Sequence, residues 1–361
     1  MIIPTADEVL RAGDVLALAG SRDAIEAART ILLSLLLSIA PLALAAQLPA
    51  DSGAALYRSW CLKCHGADGR GTPATTARLE VPPADLADCK ASTAEPDDRW
   101  VGIVTKGAAA FGLSLDMPAF GEAGTPEQIR AVIRYVRSLC RERGWPPGEL
   151  NFPRAFLVEK AYPENEWVVT ERGAGQELIY ERRLGKRLQL EGAARTAFDS
   201  LDRPFDGVTV AGKYNVWHSS ERRALVSLGL EATPPLGRQE AWEVEPFLAF
   251  GANPRRTLFV QGEVVGTWEE AEGITALSYR LGLGRAVGRV VPMLEAGWTV
   301  PTEGERTLSL YPQAWVQLSR LGHVAASLGA ELAAVGPEPR HPRLIAFVLW
   351  DYADAPLLRG W

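Results

Sequence analysis

The sequence predicts a chain of two unlike parts: a small all-α domain, then an all-β domain whose pattern fits an antiparallel transmembrane β-barrel of about twelve strands. Three observations predict it. Helical apolar spacing dominates the first part, and long runs of period two take over after the proline-rich stretch "GWPPGELNFPRA". The third is a cluster of chemistry: Cys61-Leu62-Lys63-Cys64-His65 sits in the helical part of a chain with only four cysteines and four histidines.

Composition allows both parts. With 361 residues, 47% hydrophobic and 23% charged, the chain can bury a core in each domain and is neither a disordered nor a collagen-like polymer. A formal charge of -6, without lysine or arginine runs, gives no field for a phosphate backbone. Nucleic acid is not an expected partner.

Residues 1–46 read as a leader. The run "ILLSLLLSIAPLALAA" (31–46) is interrupted by Pro41 and falls short of the ~20 apolar residues of a spanning helix. It fits the hydrophobic core of a secretory signal peptide cut near Ala45 or Ala46, with a retained anchor as the alternative. The stretch before it carries Asp7, Glu8, Asp14, Asp23 and Glu26, unlike a short basic n-region. Its rhythm, "IIPTADEVLRAGDVLALAG", resembles the tail of the C-terminal regulatory lobe of potassium-transport and cation/proton antiporter proteins. A misassigned start over residues 1–30, or the end of a neighbouring gene, would explain it.

In the domain expected over 47–150, Cys61-x-x-Cys64-His65 has the spacing of haem attachment. Two thiols on one turn can form thioethers to the two vinyl groups of a haem, while the imidazole just behind them reaches the iron. Two other readings exist. A redox dithiol would follow a strand in a βαβ unit, yet "DSGAALYRSWC" spaces Leu56 and Trp60 four apart, as a helix does. A tetrahedral zinc site needs a second close ligand pair, which the sequence lacks.

The second axial ligand is sought among three methionines. Met1 lies in the leader and Met293 in a strand-like run, which leaves Met117 in "LDMPAFG". Its other reading is ordinary core packing. A thioether there would fill the sixth position and raise the reduction potential. The expected site is thus Cys61, Cys64, His65 and Met117, with His65 and Met117 on the iron of one covalently bound haem c.

Over about residues 50–143 the chain resembles a class I monohaem cytochrome c. Gly53 and Tyr57 precede "CLKCHG" as in that family, whose glycine lets the last helix cross closely, and "MPAF" looks like its methionine loop. The closing helix opens with Thr125-Pro126-Glu127-Gln128, a capping box with proline at its first position. Its stripe of Ile129, Val132, Ile133, Val136 and Leu139 is expected on the haem side, and Val132 with Tyr135 resembles the pair that meets the first helix. Cys89 and Cys140 remain. In an oxidising compartment this even pair suggests a disulfide between the loop after the haem and the last helix, two separate buried thiols being the alternative.

Residues 151–361 carry the β pattern. In "RALVSLGLEA", Ala224, Val226, Leu228 and Leu230 share a face opposite Ser227, Gly229 and Glu231. In "ALSYRLGLGR", Leu277, Tyr279, Leu281 and Leu283 oppose Ser278, Arg280, Gly282 and Gly284. Such runs occupy 166–172, 177–184, 187–197, 207–218, 221–232, 241–252, 256–268, 273–285, 288–299, 306–319, 323–334 and 342–351. Most reach the ~9 to 11 residues of a tilted spanning strand, and their small and charged faces suit a watery lumen.

The connections alternate between short basic turns ("LGKR", "SSERR", "NPRR", "RAVGR", "RLGH") and longer acidic or proline-bearing loops. Periplasmic turns and external loops differ in this way, and an even strand number keeps both chain ends periplasmic. Trp167, Trp217, Trp242, Trp268, Trp298 and Trp350 fall near strand ends, where aromatic girdles meet headgroups. Trp315 is a mid-run exception, and Trp361 resembles the aromatic terminus by which outer-membrane barrels are recognised. Pro246, Pro292 and Pro312 each remove a ladder donor, and a soluble two-sheet sandwich is the competing architecture.

Together these features point to an electron-transfer cytochrome rather than an enzyme, tethered by residues 151–361 to the outer membrane of a Gram-negative bacterium. The haem domain would be periplasmic and exchange one electron with periplasmic or outer-membrane redox proteins, because even 16 to 18 strands leave only an aqueous channel. The alternative is a small channel or transporter with the haem domain as redox gate or plug. Arg223, Glu231, Glu243, Glu245, Glu263 and Arg280 would then line the pore. Catalysis at the iron is not expected: His218, His323 and His341 are remote in sequence, and no motif supplies a distal acid or base.

Overall fold

The computed structural model describes residues 52–73, 79, 81–197, 205–337, 341–353 and 357–358, with a few positions between 22 and 30. The signal run 31–46 and Trp361 lie outside the described residues.

The first part contains α1 (Gly53–Trp60), α2 (Leu62–His65), α3 (Cys89–Ala94), α4 (Asp97–Lys106) and α5 (Pro126–Leu139). Ser52 caps α1 by accepting from the Ala55 amide, and Thr125 with Gln128 closes the capping box of α5. The apolar stripe of α5 then packs on two neighbours. Val132 and Val136 meet Leu56 and Tyr57 of α1, and Ile129 and Ile133 meet Val104 of α4. Arg137 of α5 reaches the Ser92 and Glu95 carbonyls at the end of α3, with its guanidinium 4.9 Å from the Trp100 ring centre. Cys89 and Cys140 are joined as a disulfide, Cα atoms 5.0 Å apart, which fastens α3 to the end of α5.

The second part is one sheet. Its strands are β1 (Glu166–Arg172), β2 (Gly175–Leu184), β3 (Leu188–Ala197), β4 (Phe205–Ser219), β5 (Ala224–Thr233) and β6 (Glu243–Arg255). The ring continues with β7 (Leu258–Glu269), β8 (Gly273–Arg285), β9 (Val290–Pro301), β10 (Thr307–Gln317), β11 (Val324–Val335) and β12 (Arg343–Asp351). Each strand pairs antiparallel with its sequence neighbours, and β1 pairs with β12 to close a twelve-strand barrel. A sandwich is thereby excluded, since a closed ring has no edge strands.

The ring is apolar outside. Leu228 and Leu230 are each 49% exposed, whereas Ser227 between their neighbours inside is fully buried. Leu277, Tyr279, Leu281 and Leu283 repeat the outward belt on β8. The three troublesome prolines all lie on this outer face, beside interruptions of the ladder. Pairing of β6 with β7 skips residues 245 and 246, pairing of β10 with β11 skips 311 and 312, and pairing of β8 with β9 ends at Met293. Each missing donor therefore falls where no partner is lost. Trp167, Trp217, Trp242 and Trp268 stay exposed near strand ends, while the mid-run Trp315 turns inward against the buried clusters.

Two expectations about the interior need correction. Arg223 does not face the lumen; it sits in the β4–β5 turn at φ 51°. The lumen is not simply watery, because residues 151–165, just before β1, run inside the barrel. Leu150, Phe152, Ala155, Val158, Ala161 and Tyr162 form one buried cluster with Leu225, Phe247, Phe259 and Met293 of the wall. The sequence shows this segment only as a proline-bearing connector, since it has neither helical nor strand periodicity.

Candidate functional site: a haem cleft

The attachment motif is set by backbone bonds around the one-turn α2. The Cys61 amide donates to the Tyr57 carbonyl at 2.8 Å, and the His65 amide donates to the Cys61 carbonyl at 2.8 Å. Past the motif, the Thr72 amide donates to the Cys64 carbonyl at 2.7 Å, folding the chain back over it. Cys61 and Cys64 are not bonded to each other. Both, with His65, line an apolar cleft of about 380 Å³. Val132, Ile133 and Val136 of α5 and Val104 of α4 form further wall, and Met117 lines the same cleft. The structure thus brings together all four residues singled out by sequence.

The neighbours of these groups fit ligation. His65 Nδ1 lies 3.2 Å from the Ala84 carbonyl, a contact that orients the ring and would leave Nε2 as the nitrogen able to take a metal. Burial lowers the His65 pKa against the opposing pull of the Ala84 bond, which favours the neutral imidazole, the form that binds metal. Burial, with Cys64 beside it, pushes the Cys61 thiol up to about 12. Burial first, then the Cys61 neighbour, raises Tyr57, whose hydroxyl donates to the Gly66 carbonyl at 2.7 Å.

The methionine loop is held from both sides. The Met117 carbonyl accepts from the Ala108 amide at 3.2 Å, and Phe120 stacks on Trp60 with ring centres 5.3 Å apart. An apolar cleft lined by two unbonded thiols, an imidazole and a thioether offers the donor types that a haem c would take.

Sequence reasoning missed the seating of this domain on the barrel. Arg187 Nε donates to the Gly144 carbonyl at 3.1 Å, and Lys186 Nζ donates to the Arg143 carbonyl at 3.0 Å. Arg183 stacks over Trp145 at 4.9 Å, and Arg256 approaches Asp98 at 3.8 Å. The basic turns "LGKR" and "NPRR" therefore grip the connector and α4. Their charge was legible in sequence; their partners, backbone carbonyls for the most part, have no sequence signal.

The first part is thus a small helical domain with an apolar cleft at its Cys61-x-x-Cys64-His65 motif, joined to a closed twelve-strand β-barrel. Residues 48–136 match the family model described as cytochrome C oxidase, cbb3-type, subunit III. Among curated proteins, none matches the chain. Among solved structures, the KdgM porin is 12% identical over 51% of this chain and 96% of its own, with a TM-score of 0.41. An outer membrane channel from Pseudomonas putida F1 is 12% identical over 55% and 99%, with a TM-score of 0.39. The NanC porin is 6% identical over 51% and 97%, also at 0.39. This likeness is one of barrel shape.

Proposed function

We propose that the protein is a one-electron carrier whose single haem c is mounted on an outer-membrane barrel. The observation that carries the reading is the convergence of Cys61, Cys64, His65 and Met117 on one apolar cleft. A bound haem supplies reversible Fe(III)/Fe(II) exchange. In this reading Cys61 and Cys64 would fix it covalently, His65 and Met117 would supply nitrogen and sulfur to the iron, and the buried stripe of α5 would keep water from the ring. Two protein ligands would leave the iron no open position, which suits electron transfer rather than chemistry on a bound substrate.

The barrel supplies the mount. Its outward leucines, valines and tyrosines form a surface that only lipid covers without cost, and its tryptophans mark the two borders. Because the connector is held by the short basic turns, the haem domain belongs on the periplasmic side, where its redox partners would be proteins of the periplasm or the outer membrane. Membrane fractionation with haem staining tests the whole reading. A single coloured band is expected in the outer-membrane fraction, heavier than the apoprotein by one haem. A colourless chain, or recovery in the soluble fraction, overturns it.

A further inference from the structure

A twelve-strand ring is wider than the eight-strand barrels whose own side chains fill the interior, so its lumen would be open unless something occupied it. The occupant is the connector. It enters beside the short turns, descends to mid-barrel and returns to start β1. At its apex the Phe156 amide donates to Glu295 Oε1 at 2.7 Å, and the Leu157 and Val158 amides donate to Glu295 Oε2 at 2.8 and 2.9 Å. One fully buried wall carboxylate thus collects three successive backbone donors, the arrangement by which a chain bend captures an anion. Gln313 Nε2 donates to the same carboxylate from β10.

The wall is also shaped to the segment. A Cβ on Gly297 would stand 2.6 Å from the Leu157 side chain, and one on Gly329 would stand 2.3 Å from the Pro312 carbonyl of β10 and 2.7 Å from the Phe156 ring. Phe152 stacks on Phe259 with centres 5.8 Å apart, and Phe156 meets Phe347 edge-on at 5.5 Å. Gln261 Nε2 donates to the Pro153 carbonyl at 2.9 Å. Contacts of this kind come from strands all round the ring, so the level is packed like a core rather than lined like a pore.

We propose that residues Phe152–Tyr162 are a built-in stopper that keeps the barrel closed to solutes, and that Glu295 is the residue that locks it in place. This goes beyond electron transfer: the barrel is a channel scaffold shut by its own connector, and that connector also positions the haem domain. It rests on the barrel spanning a membrane, but its structural half can be read without one.

Full-length haem-loaded protein reconstituted in planar bilayers in potassium chloride should be electrically silent. Glu295→Ala, and a chain with residues 153–161 replaced by a short Gly-Ser bridge, should gain stepwise openings. In parallel, hydrogen exchange of the wild-type protein in detergent should leave the amides of Phe156, Leu157 and Val158 as protected as those of β9. Wild-type conductance equal to that of Glu295→Ala, or correctly folded variants as silent as wild type, overturns the proposal. So does exchange at Phe156–Val158 as fast as in the exposed turns, a result that stands even if the variants fail to fold. Failure to enter bilayers with those amides still protected would instead strike the membrane reading.

Discussion

Gly53 and Ala131 meet with no room for a side chain: a Cβ on Gly53 would stand 2.0 Å from the Ala131 carbonyl oxygen. The first and last helices of the haem domain cross at that point, and the crossing holds Tyr57 against Tyr135, ring centres 5.1 Å apart. The depth of the cleft depends on it, because Val132 and Val136 reach the cleft wall only when α5 lies this close to α1.

Gly53→Val is therefore expected to destabilise the haem domain by about 1–3 kcal/mol through overpacking. Urea denaturation of the full-length protein in detergent, followed by haem absorbance, checks it. An unchanged midpoint would show that the helices can part without loss.

Met117→Ala should abolish the near-infrared band of sulfur–iron bonding and lower the midpoint potential, since axial-ligand identity governs a range of roughly 0.8 V. The visible haem colour should persist, because Cys61 and Cys64 still hold the ring. A spectrum identical to wild type would remove Met117 from the iron.

Replacing Cys89 and Cys140 together by serine opens a bond spanning 51 residues of sequence. A loss of about 2–4 kcal/mol in haem-domain stability is expected under non-reducing conditions. The comparison with wild type treated with reductant should give the same shift in denaturation midpoint.

Glu149 Oε1 accepts from the Asp97 amide at 2.7 Å, capping α4 from the connector because Pro96 has no side-chain acceptor to offer. Glu149→Ala should cost about 1 kcal/mol, in the usual range for a lost cap. It should also raise the rate of limited proteolysis between residues 140 and 150, and Glu149→Gln should retain much of the protection.

What was legible in the sequence had local causes. The motif Cys61–His65 is read from spacing, the caps of α5 from four consecutive residues, and the twelve strands from a period of two that every barrel wall must keep. Even the exposure of Trp167 and Trp268 near strand ends was legible, because it is set on each strand separately. The convergence of Met117 with His65 was an inference by elimination; the fold brings them to one cleft because α5 and the methionine loop close over α2.

The tertiary structure alone decided what fills the lumen. Glu295 alternates with outward residues like any lumenal carboxylate, and Phe156-Leu157-Val158 lies in a connector without period, so neither end of their three hydrogen bonds announces the other. Gly297 likewise looks like an ordinary small lumen residue until the Leu157 side chain of the connector is seen against it. Alternation specifies which way a strand residue points, a local property; it carries nothing about which distant backbone will arrive there, which depends on the closed ring as a whole.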